Sequence, residues 1–139
     1  MSGLRFRFHV TEDDYSRTVE PSIIVKTRLN LQGLIPEAIR RVSIALNEGE
    51  INMVIHSGGG EVTVTVSPDR VDMVLEDHGK GIPDIEKAMQ DGYSTASEVA
   101  RSLGFGAGMG LPNMKKYTDE MNIDTTVGVG TTITMVVKL

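Results

Sequence analysis

Four glycines at alternate positions, Gly104, Gly106, Gly108 and Gly110, narrow most sharply what this chain can become. They leave the backbone almost bare of side chains, so that a ligand or a neighbouring element can approach it closely. Leu111-Pro112-Asn113-Met114-Lys115-Lys116-Tyr117 follows and reads as a helix start with Pro112 in the first turn. Unpaired N–H groups and the positive end of the helix dipole would then point outward together, which favours an anion such as phosphate. A surface loop of no special function would carry the same glycines, and this stretch alone does not separate the two readings. Upstream, Val74-Leu75-Glu76-Asp77-His78-Gly79-Lys80-Gly81-Ile82-Pro83 reads as an apolar strand ending in a carboxylate, then a narrow glycine turn. Asp77 is placed to accept a hydrogen bond from an amino group such as that of adenine, or simply to form the turn.

The rest of the chain supplies a scaffold. Leu4 to Val10 alternates apolar and polar residues, which predicts a half-buried edge strand with His9 in solvent. A helix is expected from Pro21 to Leu31, its apolar side made by Ile23, Ile24, Val25, Leu29 and Leu31, and a second from Pro36 to His56. On the second helix Glu48, Asn52 and His56 fall at i, i+4 and i+8, one polar stripe beside an apolar face. Gly49 inside it costs about 1 kcal/mol relative to Ala, which predicts close approach by a neighbouring element. Ser57 to Gly60 reads as a turn, and Glu61–Val66 with Val71–Leu75 as a hairpin. A short helix over Ile82–Met89 is expected, then a small-residue, polar stretch from Asp91 to Ser102 that suits a mobile lid. Arg101, its one cation, reads as a solvated side chain. After the glycine loop come a helix with Met114 and Met121 as core filling, and two strands, Met121–Val127 and Thr131–Lys138. This order predicts a two-layer α/β sandwich with helices on one face of a mixed, mostly antiparallel sheet.

Composition removes several function classes. A length of 139 residues suits one domain over 1–139 with its own core. A net charge of −5 without aromatic-studded basic patches disfavours a nucleic-acid surface. The absence of cysteine removes disulfide and thiol chemistry and fits a reducing cytoplasm. No apolar run is long enough to span a membrane, and no secretory leader is visible, so no membrane association is expected. The glycine pattern lacks the Gly-Lys-Ser/Thr ending of a P-loop and does not follow a first strand as a dinucleotide fingerprint would.

Each motif has a structural reading when taken singly, but four of them stand in a fixed order. Glu48-x-x-x-Asn52-x-x-x-His56, Asp77-x-Gly79-x-Gly81-Ile82, Gly104-x-Gly106-x-Gly108-x-Gly110-Leu111 and Gly128-x-Gly130-Thr131 resemble the N box and three glycine boxes of the histidine-kinase-like (GHKL) ATPases. Glu76 to Ile85 and Asp91-Gly92-Tyr93-Ser94-Thr95 further resemble the small serine kinases of anti-sigma switches and stressosomes, the RsbT- and RsbW-like proteins. The resemblance runs from about Pro36 to Lys138 and implies the Bergerat ATP-binding fold.

What the resemblance implies can be placed residue by residue. Glu48 would be the base for an attacking hydroxyl, and Asn52 would ligate Mg²⁺ between the phosphates of ATP. Asp77 would read the adenine amino group, Gly79, Gly81 and Ile82 would admit the base, and Thr131 would support Asp77 and the adenine. Gly104, Gly106, Ala107, Gly108, Met109, Gly110 and Leu111 would cradle the phosphates. The implied activity is ATP-dependent phosphorylation of a serine or threonine on a small STAS-type antagonist or stressosome protein. A sigma factor, a phosphatase and a second copy are further partners of that family. The competing reading is an ATP-gated anti-sigma or partner-sequestering module without phosphoryl transfer.

Overall fold

The computed structural model describes residues 4–11, 20–57, 59–79, 81–82, 85, 89 and 110–139. The elements are β1 (Leu4–Thr11), α1 (Glu20–Leu31), α2 (Pro36–Ser57), β2 (Gly59–Val66), β3 (Arg70–Asp77), α3 (Gly110–Lys116), β4 (Glu120–Thr126) and β5 (Gly130–Lys138). The strands form one sheet of order β1-β2-β3-β5-β4, and every described pairing is antiparallel. Short turns force this pairing only for β2–β3 and β4–β5; β1–β2 and β3–β5 meet antiparallel across long connections.

Register turns the alternating sequence into a single apolar face. Phe8, Val62, Leu75, Ile133 and Ile123 line up across the sheet, as do Phe6, Val64, Met73, Met135 and Met121. Val62, Val64, Met73, Leu75, Met135 and Val137 are among the buried core residues. A one-residue slip of any strand would turn its whole apolar set to water, so burial fixes the register. The opposite face carries Thr63, Thr65, Asp72, Thr132 and Thr134, all half-exposed. At its edge His9 Nδ1 lies 2.6 Å from Glu61 Oε1, a surface pairing on the strand face expected in solvent.

α2 covers the apolar face, with α1 and α3 packed beside it. Val42, Ala45, Leu46, Met53 and Val54 point inward from α2. Gly49 permits the close fit: a Cβ there would run into Leu75 Cδ2 of β3 and stand 3.3 Å from Met114 Sδ of α3. The close approach expected from that glycine is therefore found. Only part of the apolar side expected for α1 is buried. Val25 and Leu29, one turn apart, enter the core, whereas Ile23, Ile24 and Leu31 are 56%, 43% and 76% exposed. Residues 23 and 24 sit on either side of the Val25–Leu29 stripe, and a helix lying on one neighbour buries a single stripe.

α3 is tied to its surroundings at its far end. Arg41 of α2 donates from Nε to the Tyr117 carbonyl (3.2 Å) and pairs with Asp119 (3.2 Å), while the Lys138 amide donates to the same Asp119 carboxylate (2.6 Å). The short helix expected over 82–89 lies mostly outside the described residues. Ile85 is helical, and the Met89 amide donates to the Ile85 carbonyl at 2.9 Å. The lid and residues 104–109 of the glycine loop also lie outside them. No described helix is long and apolar enough to cross a membrane.

Candidate functional site

Asp77 closes β3 and is 9% exposed. Its Oδ1 accepts the Gly79 amide at 2.9 Å, which folds the chain into a side-chain-closed turn, and the Thr131 amide at 3.2 Å from the facing strand. Asp77 and Thr131 are register partners on β3 and β5. Both bonds use Oδ1, so Oδ2 has no partner among the described residues. A nearly buried carboxylate held by two backbone donors, with its second oxygen unpartnered among the described residues, is an acceptor fixed in place.

Behind it stands a second layer of polar contacts. Thr131 is 6% exposed, and its hydroxyl oxygen lies 2.8 Å from that of Thr125 across the β4–β5 pair. Thr125 accepts the Ile82 amide at 2.8 Å and reaches the Gly130 carbonyl at 3.3 Å. The turn after β3 is thereby tied to the β4–β5 hairpin. Gly81 is needed there, because its φ is +79° and a Cβ would meet the Thr126 carbonyl oxygen at 2.6 Å. A side chain at this position would be strained in conformation and blocked in space.

α2 delivers the polar stripe to the same end of the sheet. A Cβ on Gly60, at the start of β2, would stand 2.9 Å from Met53 Sδ and 3.1 Å from Asp77 Cα, so α2 crosses close above the end of β3. Glu48 and Asn52, which precede Met53 on the same helix, are both half-buried. Burial raises the Glu48 carboxyl above its ordinary value, and a hydrogen bond with the Asn113 side chain of α3 pulls it partly back. The Glu48 carboxyl therefore faces α3, the helix that follows the glycine loop. Of the expected phosphate cradle, Gly110 is the first residue of α3 and Leu111 is buried in the core, 6% exposed. Gly104, Gly106, Ala107, Gly108 and Met109 lie outside the described residues, as does the His56 side chain.

Three residues of this region carried no functional signal in sequence. Thr125 is one of many strand threonines, and only its pairing opposite Thr131 gives it weight. Asn113 looked like an ordinary first-turn helix residue; its hydrogen bond to Glu48 joins elements far apart in the chain. Glu50 lies two residues from Glu48, fully buried, with neither carboxylate oxygen partnered and Asn47 Oδ1 equally unpartnered one turn back. Burial pushes the Glu50 carboxyl up to about 9, so it carries its proton at neutral pH.

A magnesium ion needs few protein ligands when it arrives with phosphates, and it prefers hard oxygen donors. No cluster of three or more metal-ligating acidic or histidine side chains occurs among the described residues. A half-buried amide oxygen on Asn52 beside the half-buried Glu48 fits such a shared ion and does not fit an all-protein cage.

Comparison with known proteins agrees with this geometry. The family described as "Histidine kinase-, DNA gyrase B-, and HSP90-like ATPase" matches residues 38–139. "Serine/threonine-protein kinase RsbT" of Bacillus subtilis (strain 168) is 35% identical over 97 residues, 67% of each chain. "Anti-sigma F factor" of Thermoanaerobacter sp. (strain X514) is 29% identical over 140 aligned positions, covering 97% of this chain and 91% of its own. The protein of the same name from Bacillus licheniformis is 34% identical over 103 residues, 70% of this chain and 67% of its own.

Proposed function

On the premise that this chain belongs to the histidine kinase-, DNA gyrase B- and HSP90-like ATPase family, we propose that it is an ATP-dependent serine/threonine protein kinase. The observation that carries this reading is Glu48: a half-buried carboxyl, raised by burial, on the helix that crosses the end of β3. A protein that only held nucleotide would need no proton acceptor there. Within this reading Glu48 takes the proton of the attacking hydroxyl, which needs the carboxyl ionised and within hydrogen-bond reach. Asn52 would hold Mg²⁺ shared with the phosphates, and the ion when bound neutralises phosphate charge. Asp77, with Thr131 behind it, reads the base, and the turn through Gly79, Gly81 and Ile82 admits it. The backbone from Gly104 to Leu111 would hold the phosphates. Phosphoryl transfer depends mainly on positioning and charge neutralisation, so this small set is chemically sufficient.

The whole of residues 1–139 is read as one such domain, working in the cytoplasm. Its substrate in this reading is a small STAS-type antagonist or stressosome protein. Several relatives are named anti-sigma F factor, which supports a partner held under nucleotide control; the alternative reading keeps that holding role and omits phosphoryl transfer. A sigma factor, a phosphatase or a second copy would be the further partners.

Single-turnover phosphorylation of a STAS-type antagonist protein separates the two. Glu48→Gln keeps the shape and most contacts, and transfer should fall by about 10²–10⁴-fold with ATP affinity little changed. Asn52→Ala should lose metal-dependent ATP affinity as well as turnover. Full transfer by Glu48→Gln would remove Glu48 as the base. Absence of transfer by the wild-type chain, with ATP and partner both bound, would favour the holding role.

A further inference from the structure

We propose that Thr125 fixes the direction of the Thr131 hydroxyl, and thereby makes the pocket select a purine with an exocyclic amino group over one with a keto oxygen at that position. The inference rests on the reading of Asp77 and Thr131 as the base-reading pair and adds a specificity-determining residue to it. Thr125 acts through Thr131 and is a positioning residue.

A hydroxyl has one hydrogen to give and two lone pairs to receive with. Among the described residues Thr125 Oγ1 has three polar neighbours. The Ile82 amide at 2.8 Å can only donate, and the Gly130 carbonyl at 3.3 Å can only accept. The Thr131 hydroxyl at 2.8 Å can do either. One arrangement makes all three contacts hydrogen bonds: Thr125 gives its hydrogen to Gly130 and receives both the Ile82 N–H and the Thr131 O–H. The reverse arrangement, with Thr125 donating to Thr131, leaves Gly130 without that donor. Near-complete burial of Thr131 makes the fully satisfied arrangement the favoured one.

With its hydrogen committed to Thr125, Thr131 offers only lone pairs elsewhere. Beside it Asp77 is acceptor-only when ionised, its Oδ1 filled by two amides and its Oδ2 without a partner among the described residues. The base-reading end is thus a pair of adjacent acceptors locked in register. An amino group supplies the hydrogens that such a pair needs. A keto oxygen supplies none and faces a carboxylate. Sites built to hydrogen-bond one group discriminate strongly against an analogue that cannot complete the pairing.

The test compares ATP with inosine triphosphate, which replaces the adenine amino group by a keto oxygen, in competition titrations on the full chain. Wild type should prefer ATP, Thr125→Ser should keep that preference, and Thr125→Val should lower the ATP-over-inosine-triphosphate ratio by about tenfold, the value of one good hydrogen bond. A purely structural role for Thr125 would weaken both nucleotides alike and leave the ratio unmoved. Should Thr125→Val fail to fold, Thr125→Cys, whose thiol donates and accepts only weakly, is expected to lower the ratio in smaller measure. ATP binding with an unchanged ratio in the folded variant overturns this inference alone. Absence of ATP binding by the folded wild-type chain overturns the site reading and this inference with it.

Discussion

At Glu48 two opposing influences act on one carboxyl: burial raises it, and the hydrogen bond from Asn113 lowers it, with burial the larger. A base must be ionised to accept a proton, so transfer should rise with pH along a limb lying above the ordinary carboxylate range. Asn113→Ala removes the lowering influence and leaves burial unopposed. The limb should then move further up in pH, with transfer below it reduced roughly threefold to tenfold, the hydrogen bond being discounted for partial exposure. At high pH the rate should recover, and ATP affinity should be little altered. Single-turnover rates across pH check this; an unmoved limb would show that Asn113 does not act on Glu48. The same pair shows where a sequence stops being readable. Glu48 and Asn52 are visible because helical spacing alone puts them on one stripe. Asn113 is invisible because its bond to Glu48 spans two helices whose relative placement no local pattern encodes.

α2 is the element on which placement depends, and Gly49 is its contact point. Helix propensity favours Ala over Gly by about 1 kcal/mol. Overpacking a tight core contact costs about 1–3 kcal/mol. Because a Cβ at Gly49 would run into the side chain of Leu75 and crowd Met114, the packing cost should win. Gly49→Ala is therefore expected to destabilise the fold by up to about 2 kcal/mol, against the sign that propensity predicts, as denaturant midpoints would show. A stabilised variant would mean that Leu75 moves aside at little cost. The strands were legible because alternation of Val62, Val64 and Val66 with threonines allows only one face inward. α1 was less so: Ile23, Ile24 and Leu31 look like core by composition, yet only the Val25–Leu29 stripe meets a neighbour. Apolar identity says what can be buried, whereas the number of packing partners says how much is.

At the scale of the whole molecule, Glu50 sets a pH dependence opposite to ordinary acid denaturation. Its carboxyl stands at about 9 in the fold, against 4.5 for an exposed glutamate. The folded state therefore holds the proton more tightly than the unfolded state. Its contribution to stability is whole below the unfolded value and is lost as pH climbs from there towards 9, at roughly 1.4 kcal/mol per pH unit. Asp119, whose carboxyl is lowered by the Lys138 amide and then by Arg41, works in the other direction, losing its contribution as pH falls towards the acid end. Wild type should thus weaken between pH 6 and pH 8, and Glu50→Gln, neutral and similar in shape, should flatten that slope. Parallel slopes in urea titrations of the two would acquit Glu50. A last consequence follows from the bond between Asp77 and Thr131, which joins residues 54 apart in the chain. During synthesis β3 is complete long before β5 exists, and for that interval the Asp77 carboxyl has neither its second amide nor the threonine pair behind it. On the proposed reading of this pair, a nascent chain lacks a complete base-reading end until Thr131 has been made, so nucleotide would act on the assembled sheet and not on the early steps of folding.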